Sequence, residues 1–250
     1  MNKYSLGFIS DKKIFEHVKQ TVDKYRFIID LKKFKENIVD PIKMTFDSKV
    51  YQRSIEQVIE DEVMRQLDKS NTNHIGYFHQ NIFKILNDNW TVPEKRFDVV
   101  NEAEHFYVEM KNKHNTMNSS SSQKTYTRMS AQLAKTPKAT CFLVEVISKK
   151  SQNAPWTISL DGERFSSERI RRVSIDQFYT FVTKDPLAFY KLCVALPKII
   201  EDVVQTYQGS ALITNTVLVE LKDLSNLSNQ SLLNTIYNLS FKSYQGFNHE

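Results

Sequence analysis

Apolar residues recur every three or four positions through the first 70 residues, and this spacing predicts amphipathic helices. A further helix is predicted to begin near Asn73, whose side chain could cap its first turn. We therefore expect residues 1–70 to form a helical N-terminal region. The clearest apolar series in that region consists of Ile55, Val58, Ile59, Val63 and Leu67.

The hydrophobic period changes after Asp88, where short runs rich in aromatic and β-branched residues begin. The runs 97–100 and 106–110 are separated by a polar tetrapeptide and predict an antiparallel hairpin. A nearly continuous apolar run over residues 140–147 predicts a strand that is buried on both faces. The basic segment 169–174 is interpreted as a short lead-in to the helix that follows it.

Together these elements predict an α/β core with helical additions at both ends. We expect a single domain over residues 1–250, with a core at residues 71–183 and a mainly helical region at residues 184–250. The composition includes 40% hydrophobic residues, 5 glycines and 6 prolines, which is typical of a folded globular protein. It excludes disordered and collagen-like classes.

Composition also bears on where the protein works. Cys141 and Cys193 are too few and too far apart for a disulfide framework or a paired-cysteine zinc site. No apolar stretch approaches the roughly 18–20 residues of a membrane span, and the polar start lacks a signal-peptide pattern. We expect a cytoplasmic protein without membrane contact. The net charge of +5 and the pI near 9.0 favour polyanionic partners without requiring one.

An aspartate and a Glu-x-Lys sequence in the predicted hairpin offer the chemistry of phosphodiester hydrolysis. That reaction needs a divalent ion held by oxygen ligands and a nearby base or cation that orients the attacking water. Asp98 lies in the first strand, while Glu109 and Lys111 lie two residues apart in the second and project to one face. The three side chains could therefore meet across the hairpin.

The spacing of Glu109 and Lys111 alone carries little information, because an acidic residue two positions before a lysine recurs elsewhere. The other examples are Asp11/Lys13, Asp30/Lys32, Asp47/Lys49 and Glu220/Lys222. Only Glu109 and Glu220 follow strand-like runs, and Glu220 has no aspartate at hairpin distance before it. From the residues alone, a solvated hairpin end and a metal site both remain open.

The residues around Glu109 resemble a known family of nucleases. Phe97-Asp98 followed by Glu109-Met110-Lys111 resembles the PD-(D/E)xK motif, with Phe97 at the position where the family often has proline. The segments 73–80 and 108–118 resemble type II restriction endonucleases that cut GGNCC, and the likeness extends from about residue 5 to residue 205. This resemblance implies a restriction-endonuclease-like core with a mixed central sheet.

Carried over to this sequence, the resemblance implies a role for each hairpin residue. Asp98 and Glu109 would bind Mg²⁺, and Lys111 would position or deprotonate the attacking water and stabilise the developing charge. Hydrolysis would leave a 5′-phosphate and a 3′-hydroxyl. A further metal ligand often comes from the helix before the hairpin, where Gln80 and Glu62 are the alternatives. Gln80 is equally well interpreted as a packing or capping glutamine.

The resemblance also implies partners. Double-stranded DNA would be the substrate, a two-fold symmetric site would be read by a homodimer, and a cognate cytosine methyltransferase would be a genetic partner without stable binding. Hydrogen-bond donors such as arginine and lysine suit N7 and O6 of guanine. Arg171 and Arg172 are expected to contact phosphates instead of bases. The candidate DNA contacts are Lys113, His114, Asn115, Asn118, Ser119, Ser121, Lys124, Arg128, Arg171 and Arg172.

Other interpretations stay open at this stage. A repair or structure-specific nuclease would use the same fold, and a DNA-binding protein without catalysis would explain the basic charge. The serine run that follows Asn118 predicts either a flexible loop or a helix cap that contacts phosphates. A zinc site at His74 and His79 is not expected, because residues five apart do not share a helix face.

Overall fold

The chain divides into two compact units, which the computed structural model describes over residues 3–160, 162–207 and 214–245. The sheet unit comprises Met1–Asp23 and His74–Thr206, and the helical unit comprises Lys24–Asn73 and Tyr207–Glu250. Each unit therefore draws on two separated segments of the sequence. The single domain expected over residues 1–250 stays a prediction beside this division.

The sheet unit contains a five-stranded sheet, flanking helices and a small two-stranded ribbon. It also receives the C-terminal part of α4 (Ile55–Leu86), which starts in the helical unit. Its other elements are α1 (Asp11–Val22), β2 (Val99–Asn101), β3 (Phe106–Lys113), α5 (Ser119–Lys135), β4 (Thr140–Ile147), β5 (Asn153–Pro155), β6 (Ile158–Leu160), β7 (Glu163–Phe165), β8 (Ile170–Ser174), α6 (Ile175–Thr183) and α7 (Ala188–Val204).

The central sheet has the strand order β2-β3-β4-β8-β5. The three middle strands run parallel, and each edge strand pairs antiparallel with its neighbour. Helix α5 makes the crossover from β3 to β4 that two parallel neighbours require. The predicted α/β class is confirmed as a mixed sheet flanked by helices, and the predicted antiparallel hairpin is confirmed as β2 and β3.

Side chains along β3 and β4 alternate between the two faces of the sheet. Cys141 and Leu143 pack beneath α5 in one cluster with Met129, whereas Phe142 turns to the other face and contacts Phe178 of α6. Paired residues on neighbouring strands share a face, and Glu109 is paired with Leu143. The strand period therefore places Glu109 on the face that α5 covers.

An aromatic cluster fills the opposite face of the sheet. Phe178 is fully buried, and its ring centroid lies 4.9 Å from that of Phe83 on α4 and 5.7 Å from that of Trp90. Phe106 of β3 stacks on Trp90 at 6.2 Å. Edge-to-face and offset arrangements of this kind add to the burial of large apolar area, so this cluster fixes α4 and α6 against the hairpin.

The helical unit has a core of its own. Two short strands, β1 (Ile28–Ile29) and β9 (Thr214–Asn215), pair in parallel, and aliphatic residues from both segments pack around them. Besides the N-terminal part of α4, its helices are α2 (Leu31–Glu36), α3 (Pro41–Val50), α8 (Val217–Leu227) and α9 (Leu232–Ser240). Asp30 and Asp40 cap α2 and α3 by accepting the Lys33 and Lys43 amide hydrogens at 2.8 and 3.0 Å.

Helix α4 is longer than the sequence predicts. It continues from Ile55 to Leu86, so the predicted start of a separate helix near Asn73 is wrong. No proline lies within this range, and Gly76 costs only about 1 kcal/mol in a helix interior, which a long helix tolerates. None of the helices in the described ranges is both long and apolar enough to cross a membrane.

The segment 169–174 also differs from its prediction. The sequence predicts a lead-in to a helix there, but Ile170–Ser174 forms β8, an interior strand of the sheet. Ile170 and Val173 are fully buried, while the arginines between them are partly exposed. Two adjacent charges do not fit the alternating pattern of a strand, so the strand is not evident from the sequence. The strand is stable because each arginine has a polar partner inside the fold.

Truncating the central aromatic residue should weaken the sheet unit. We expect Phe178→Ala to lower the free energy of unfolding by about 3–5 kcal/mol, since it removes a fully buried ring. Urea unfolding followed by tryptophan fluorescence measures this, because both tryptophans, Trp90 and Trp156, belong to the sheet unit. Tyr77→Ala, at a ring that is 52% exposed, should change the value by less than about 0.5 kcal/mol. Equal effects of the two variants would contradict the described core.

Candidate active site

The β2–β3 hairpin brings Asp98 beside Glu109. Val99 is paired with Val108, and the Asp98 amide donates to the Val108 carbonyl oxygen at 2.9 Å. Continued by one residue, this antiparallel register places Asp98 alongside Glu109. The structure thus brings Asp98, Glu109 and Lys111 together, as the hairpin predicted.

Asp98 is a half-buried carboxylate whose charge is only partly compensated. Its Oδ2 accepts a hydrogen bond from the Met110 amide at 2.7 Å. Burial, and then the negative charge of Glu109, raise the pKa of Asp98, while the Met110 bond and the charges of Lys111 and Arg128 oppose that rise. The site therefore holds two acidic groups whose mutual repulsion a bound cation would relieve.

Glu109 is the more deeply buried of the two carboxylates, with 8% of its surface exposed. Lys111 Nζ donates to its Oε1 at 2.8 Å, and Arg128 Nη2 of α5 donates to its Oε2. The guanidinium of Arg128 lies 5.3 Å from the ring centroid of Phe97, a favourable cation–π distance. Phe97 therefore supports the arginine that holds Glu109.

The donor set fits magnesium. Mg²⁺ is usually bound through one or two carboxylates and retains several waters, so two hard oxygen donors on neighbouring strands are sufficient. Asp98 and Glu109 provide these oxygens, and the pKa of Asp98 is raised first by burial and then by the charge of Glu109. Among the described residues, no group of three or more histidines, cysteines or carboxylates lies close enough to hold a metal ion.

The two candidates for a further metal ligand have different surroundings. The Glu62 carboxylate lies in the helical unit, where Arg65 donates to both of its oxygens at 2.5 and 2.6 Å and Gln66 donates at 3.0 Å. Burial raises the pKa of Glu62, but these donors outweigh it and the net pKa is lowered. Gln80 lies half-buried on α4, and within the described part of the chain it forms no hydrogen bond to Asp98 or Glu109.

A second buried carboxylate, which the sequence argument did not select, lies on the next strand. Glu145 is 1% exposed and is paired in register with Lys111. It accepts hydrogen bonds from Arg172 Nη2 of β8 and from Ser148 Oγ at 3.3 Å, and one of its oxygens lies 3.1 Å from His114 Nδ1. Burial raises its pKa, but hydrogen bonding, above all from Arg172, outweighs burial and the net pKa is lowered. The available signal was a lone glutamate in an apolar strand, which requires a buried partner.

Comparison with known proteins identifies the family of this chain. A family model described as Eco47II restriction endonuclease matches residues 6–205. The chain is 31% identical to the type II restriction enzyme Sau96I of Staphylococcus aureus, with 96% of each chain covered. It is 29% identical to the type II restriction enzyme Eco47II of Escherichia coli, with 82% of this chain and 90% of that one covered. The chain belongs to the Eco47II restriction endonuclease family.

Membership in the Eco47II family settles the class of reaction. The protein is a type II restriction endonuclease, a site-specific deoxyribonuclease, and its substrate is DNA. The predicted resemblance to type II restriction endonucleases is confirmed. The alternatives of a structure-specific repair nuclease and of a DNA-binding protein without catalysis give way to this assignment.

The predicted DNA contacts of this restriction endonuclease fall into two structural groups. Three are tied to protein partners: Arg128 to Glu109, Arg172 to Glu145, and Arg171 to Asn153 Oδ1 at 2.6 Å. His114 is partly buried beside Glu145. The remaining candidates are exposed side chains on the end of β3, the turn after it and the start of α5, namely Lys113, Asn115, Asn118, Ser119, Ser121 and Lys124.

The serine run belongs to α5. Asn118 is the N-cap, and its Oδ1 accepts the Ser121 amide hydrogen at 2.8 Å. The serines from Ser119 onward form the first turn, so the flexible-loop alternative is wrong. Asn118 caps the helix in place of the serines, and the contact of the serines with phosphates stays a prediction. Free amide hydrogens at this helix start lie close in sequence to Lys113 and Asn115.

The raised pKa of Asp98 predicts a stability gain when its charge is removed. The ionised carboxylate costs stability above the ordinary aspartate pKa of about 3.9, and each unit of a raised pKa corresponds to about 1.4 kcal/mol. We expect Asp98→Asn to raise the free energy of unfolding at pH 7. The amide oxygen can still accept from Met110, so the hydrogen bond is kept.

The difference between Asp98→Asn and the wild type should shrink as the pH falls toward 3.9, where the carboxylate becomes protonated in both states. Urea unfolding at several pH values from 3.5 to 8 measures this difference. Asp88→Asn, at an exposed turn residue before the hairpin, should stay within about 0.5 kcal/mol of the wild type throughout. A loss of stability in Asp98→Asn at pH 7 would show that Lys111 and Arg128 outweigh burial.

Proposed function

We propose that this restriction endonuclease cuts both strands of DNA at GGNCC by magnesium-dependent hydrolysis, with Asp98, Glu109 and Lys111 as catalytic residues. The observation that carries the proposal is the ammonium of Lys111, 2.8 Å from a buried Glu109 oxygen and on the same strand face, with Asp98 alongside. A cation and two carboxylates in this arrangement match the needs of phosphodiester hydrolysis. Cleavage leaves a 5′-phosphate and a 3′-hydroxyl.

Asp98 and Glu109 act as the oxygen ligands in this proposal. When bound, Mg²⁺ supplies positive charge against the phosphate and lowers the pKa of a coordinated water. The Met110 amide holds Asp98 Oδ2, which leaves Oδ1 without a hydrogen-bond partner among the described residues and available as a ligand. Arg128 and Lys111 hold the two Glu109 oxygens and fix the orientation of this buried carboxylate.

Lys111 is the residue that acts on the reacting atoms. Its side chain is 30% exposed, so the ammonium reaches both the buried Glu109 and the solvent side where DNA binds. From this position it donates a hydrogen bond to the attacking water or to the phosphate oxygen that gains charge. A fixed donor of this kind stabilises the transition state more than the ground state.

The mixed sheet of the sheet unit is, in this proposal, a restriction-endonuclease-like core. A β2–β3 hairpin carries the acidic residues, α5 follows it, and β4 returns parallel to β3. The sequence GGNCC rests on the resemblance of residues 73–80 and 108–118 to enzymes that cut it. Exposed donors and acceptors beyond β3 suit the guanine and cytosine edges of that sequence.

A homodimer follows from the symmetry of GGNCC. A two-fold symmetric sequence is naturally read by two identical subunits, each of which cuts one strand. A cognate cytosine methyltransferase would modify the same sequence in the host and would share the target without binding the nuclease stably.

Digestion of DNA of known sequence tests the proposed specificity. With MgCl₂, the purified protein should convert plasmid DNA into discrete fragments whose mapped ends all fall at GGNCC, and EDTA should abolish cleavage. Sequencing of the ends and labelling by kinase before and after phosphatase treatment identify the cut position and the 5′-phosphate. Fragments with common ends at another sequence would refute GGNCC while leaving the proposed catalytic residues intact.

Replacement of the catalytic lysine tests the site separately from the specificity. We expect Lys111→Met to reduce the single-turnover cleavage rate by about 10²-fold or more, because it removes a transition-state donor. DNA affinity, measured by fluorescence anisotropy, should stay within about tenfold of the wild type. The matched control is Lys222→Met, which alters the same acid-x-lysine spacing on an exposed position of α8 and should leave cleavage unchanged. Full activity of Lys111→Met would exclude the proposed site.

A further inference from the structure

The buried Glu145 cluster has a geometry that restricts where protons can lie. Arg172 Nη2 donates to a Glu145 oxygen and also lies 2.8 Å from His114 Nδ1. Glu145 Oε2 lies farther from the same Nδ1, at 3.1 Å, and accepts a hydrogen bond from Ser148 Oγ. Because arginine has only donors, the shorter Arg172 contact assigns Nδ1 the role of acceptor. This assignment places a ring proton of His114 on Nε2.

The backbone of His114 is held as firmly as its ring. Its amide donates to the Ile147 carbonyl oxygen at 2.8 Å, which joins the turn after β3 to the end of β4. The ring is 18% exposed, and within the described part of the chain Nε2 forms no hydrogen bond. His114 therefore presents one N–H donor with its position fixed from three sides, by β4, by Glu145 and by Arg172.

The location of this donor relates it to the substrate. His114 follows the end of β3, three residues beyond Lys111, and its ring contacts Glu145 and Arg172. Those two side chains share a face of the sheet with Lys111, since Lys111 is paired with Glu145 and Leu143 with Arg172. A cavity of about 40 Å³ joins Lys111, Glu145 and Arg172. DNA that places its scissile phosphate at Lys111 must therefore pass close to the turn that carries His114.

We propose that Glu145 and Arg172 are positioning residues that hold His114 as a fixed Nε2 hydrogen-bond donor to DNA. The acceptor is guanine N7 or O6, or a phosphate oxygen, all of which accept from an imidazole N–H. Arg172 thereby acts through His114 instead of contacting phosphate directly. The inference rests on the proposed position of the scissile phosphate at Lys111, but not on the identity of the recognition sequence.

Two variants of His114 test the Nδ1 contact with Arg172 and the Nε2 donor separately. In His114→Asn the amide can still accept from Arg172, but the Nε2 donor is lost. In His114→Gln the amide nitrogen takes the place of Nε2, so the donor is retained. The control His105→Asn changes a histidine at the opposite end of β3, whose positive φ of 57° asparagine tolerates.

Affinities are measured by anisotropy with Mg²⁺ in a Lys111→Met background, on a duplex that contains the sequence the wild type cuts and on one with a single base pair changed. We expect His114→Asn to lower the affinity for the cognate duplex by roughly 10–100-fold, the scale of one good donor contact. His114→Gln should recover most of this loss, and His105→Asn should have no effect. Affinity of His114→Asn within twofold of the background would overturn the proposal.

The positioning role is tested by Glu145→Leu combined with Arg172→Leu. Replacing both members of a buried ion pair by apolar residues preserves folding better than removing one, which the thermal unfolding midpoint verifies. This double variant should lose as much cognate affinity as His114→Asn, and adding His114→Asn to it should cost little more. Wild-type affinity in the folded double variant would show that His114 needs no positioning.

The two acceptor sources give different patterns. If the acceptor is a base, His114→Asn lowers the affinity for the cognate duplex alone. If that acceptor is guanine N7, replacing the guanine by 7-deazaguanine lowers the affinity of the background protein but not that of the His114→Asn variant. If the acceptor is a phosphate, both duplexes lose affinity equally. Because the duplex is chosen from the sequence that the wild type cuts, failure of GGNCC as the target leaves this test valid.

Discussion

Burial of carboxylates on the α5 face of the sheet is the constraint from which the rest of the site follows. Glu109 and Glu145 lie on adjacent strands and are nearly inaccessible to solvent. An ionised carboxylate in such a place is tolerated only when cations and donors from other elements pair with it. Arg128 of α5 pairs with Glu109, and Arg172 of β8 pairs with Glu145. These ion pairs thus hold the helix and the strands together.

The sequence predicted the parts of this arrangement that depend on local spacing. Alternation along β3 placed Glu109 and Lys111 on one face, and the polar tetrapeptide after the first run placed Asp98 across from them. Those inferences need only the period of a strand and the length of a turn. The family resemblance then selected this acid-x-lysine pair from four others that have the same spacing.

What the sequence did not predict depends on contacts between residues far apart in the chain. Arg171 and Arg172 masked the strand β8, because two adjacent charges look solvent-exposed until Asn153 and Glu145 are placed beside them. The partner of Glu145 likewise could not be named, since it lies 27 residues further along the chain. Near Asn73 a capping residue suggested a helix start, but a possible cap inside a continuous helical pattern does not interrupt it.

The parallel pairing of β1 with β9 has a consequence for the order of folding. Ile28 and Thr214 are neighbours in space, and the core around them takes members from both ends of the chain. During synthesis, the early segment emerges long before its partners, so the helical unit stays incomplete while the β2–β8 strands are made. The sheet unit, whose strands are contiguous in sequence from Val99 to Ser174, can assemble first. The central sheet can therefore form during synthesis, before the helical unit is complete.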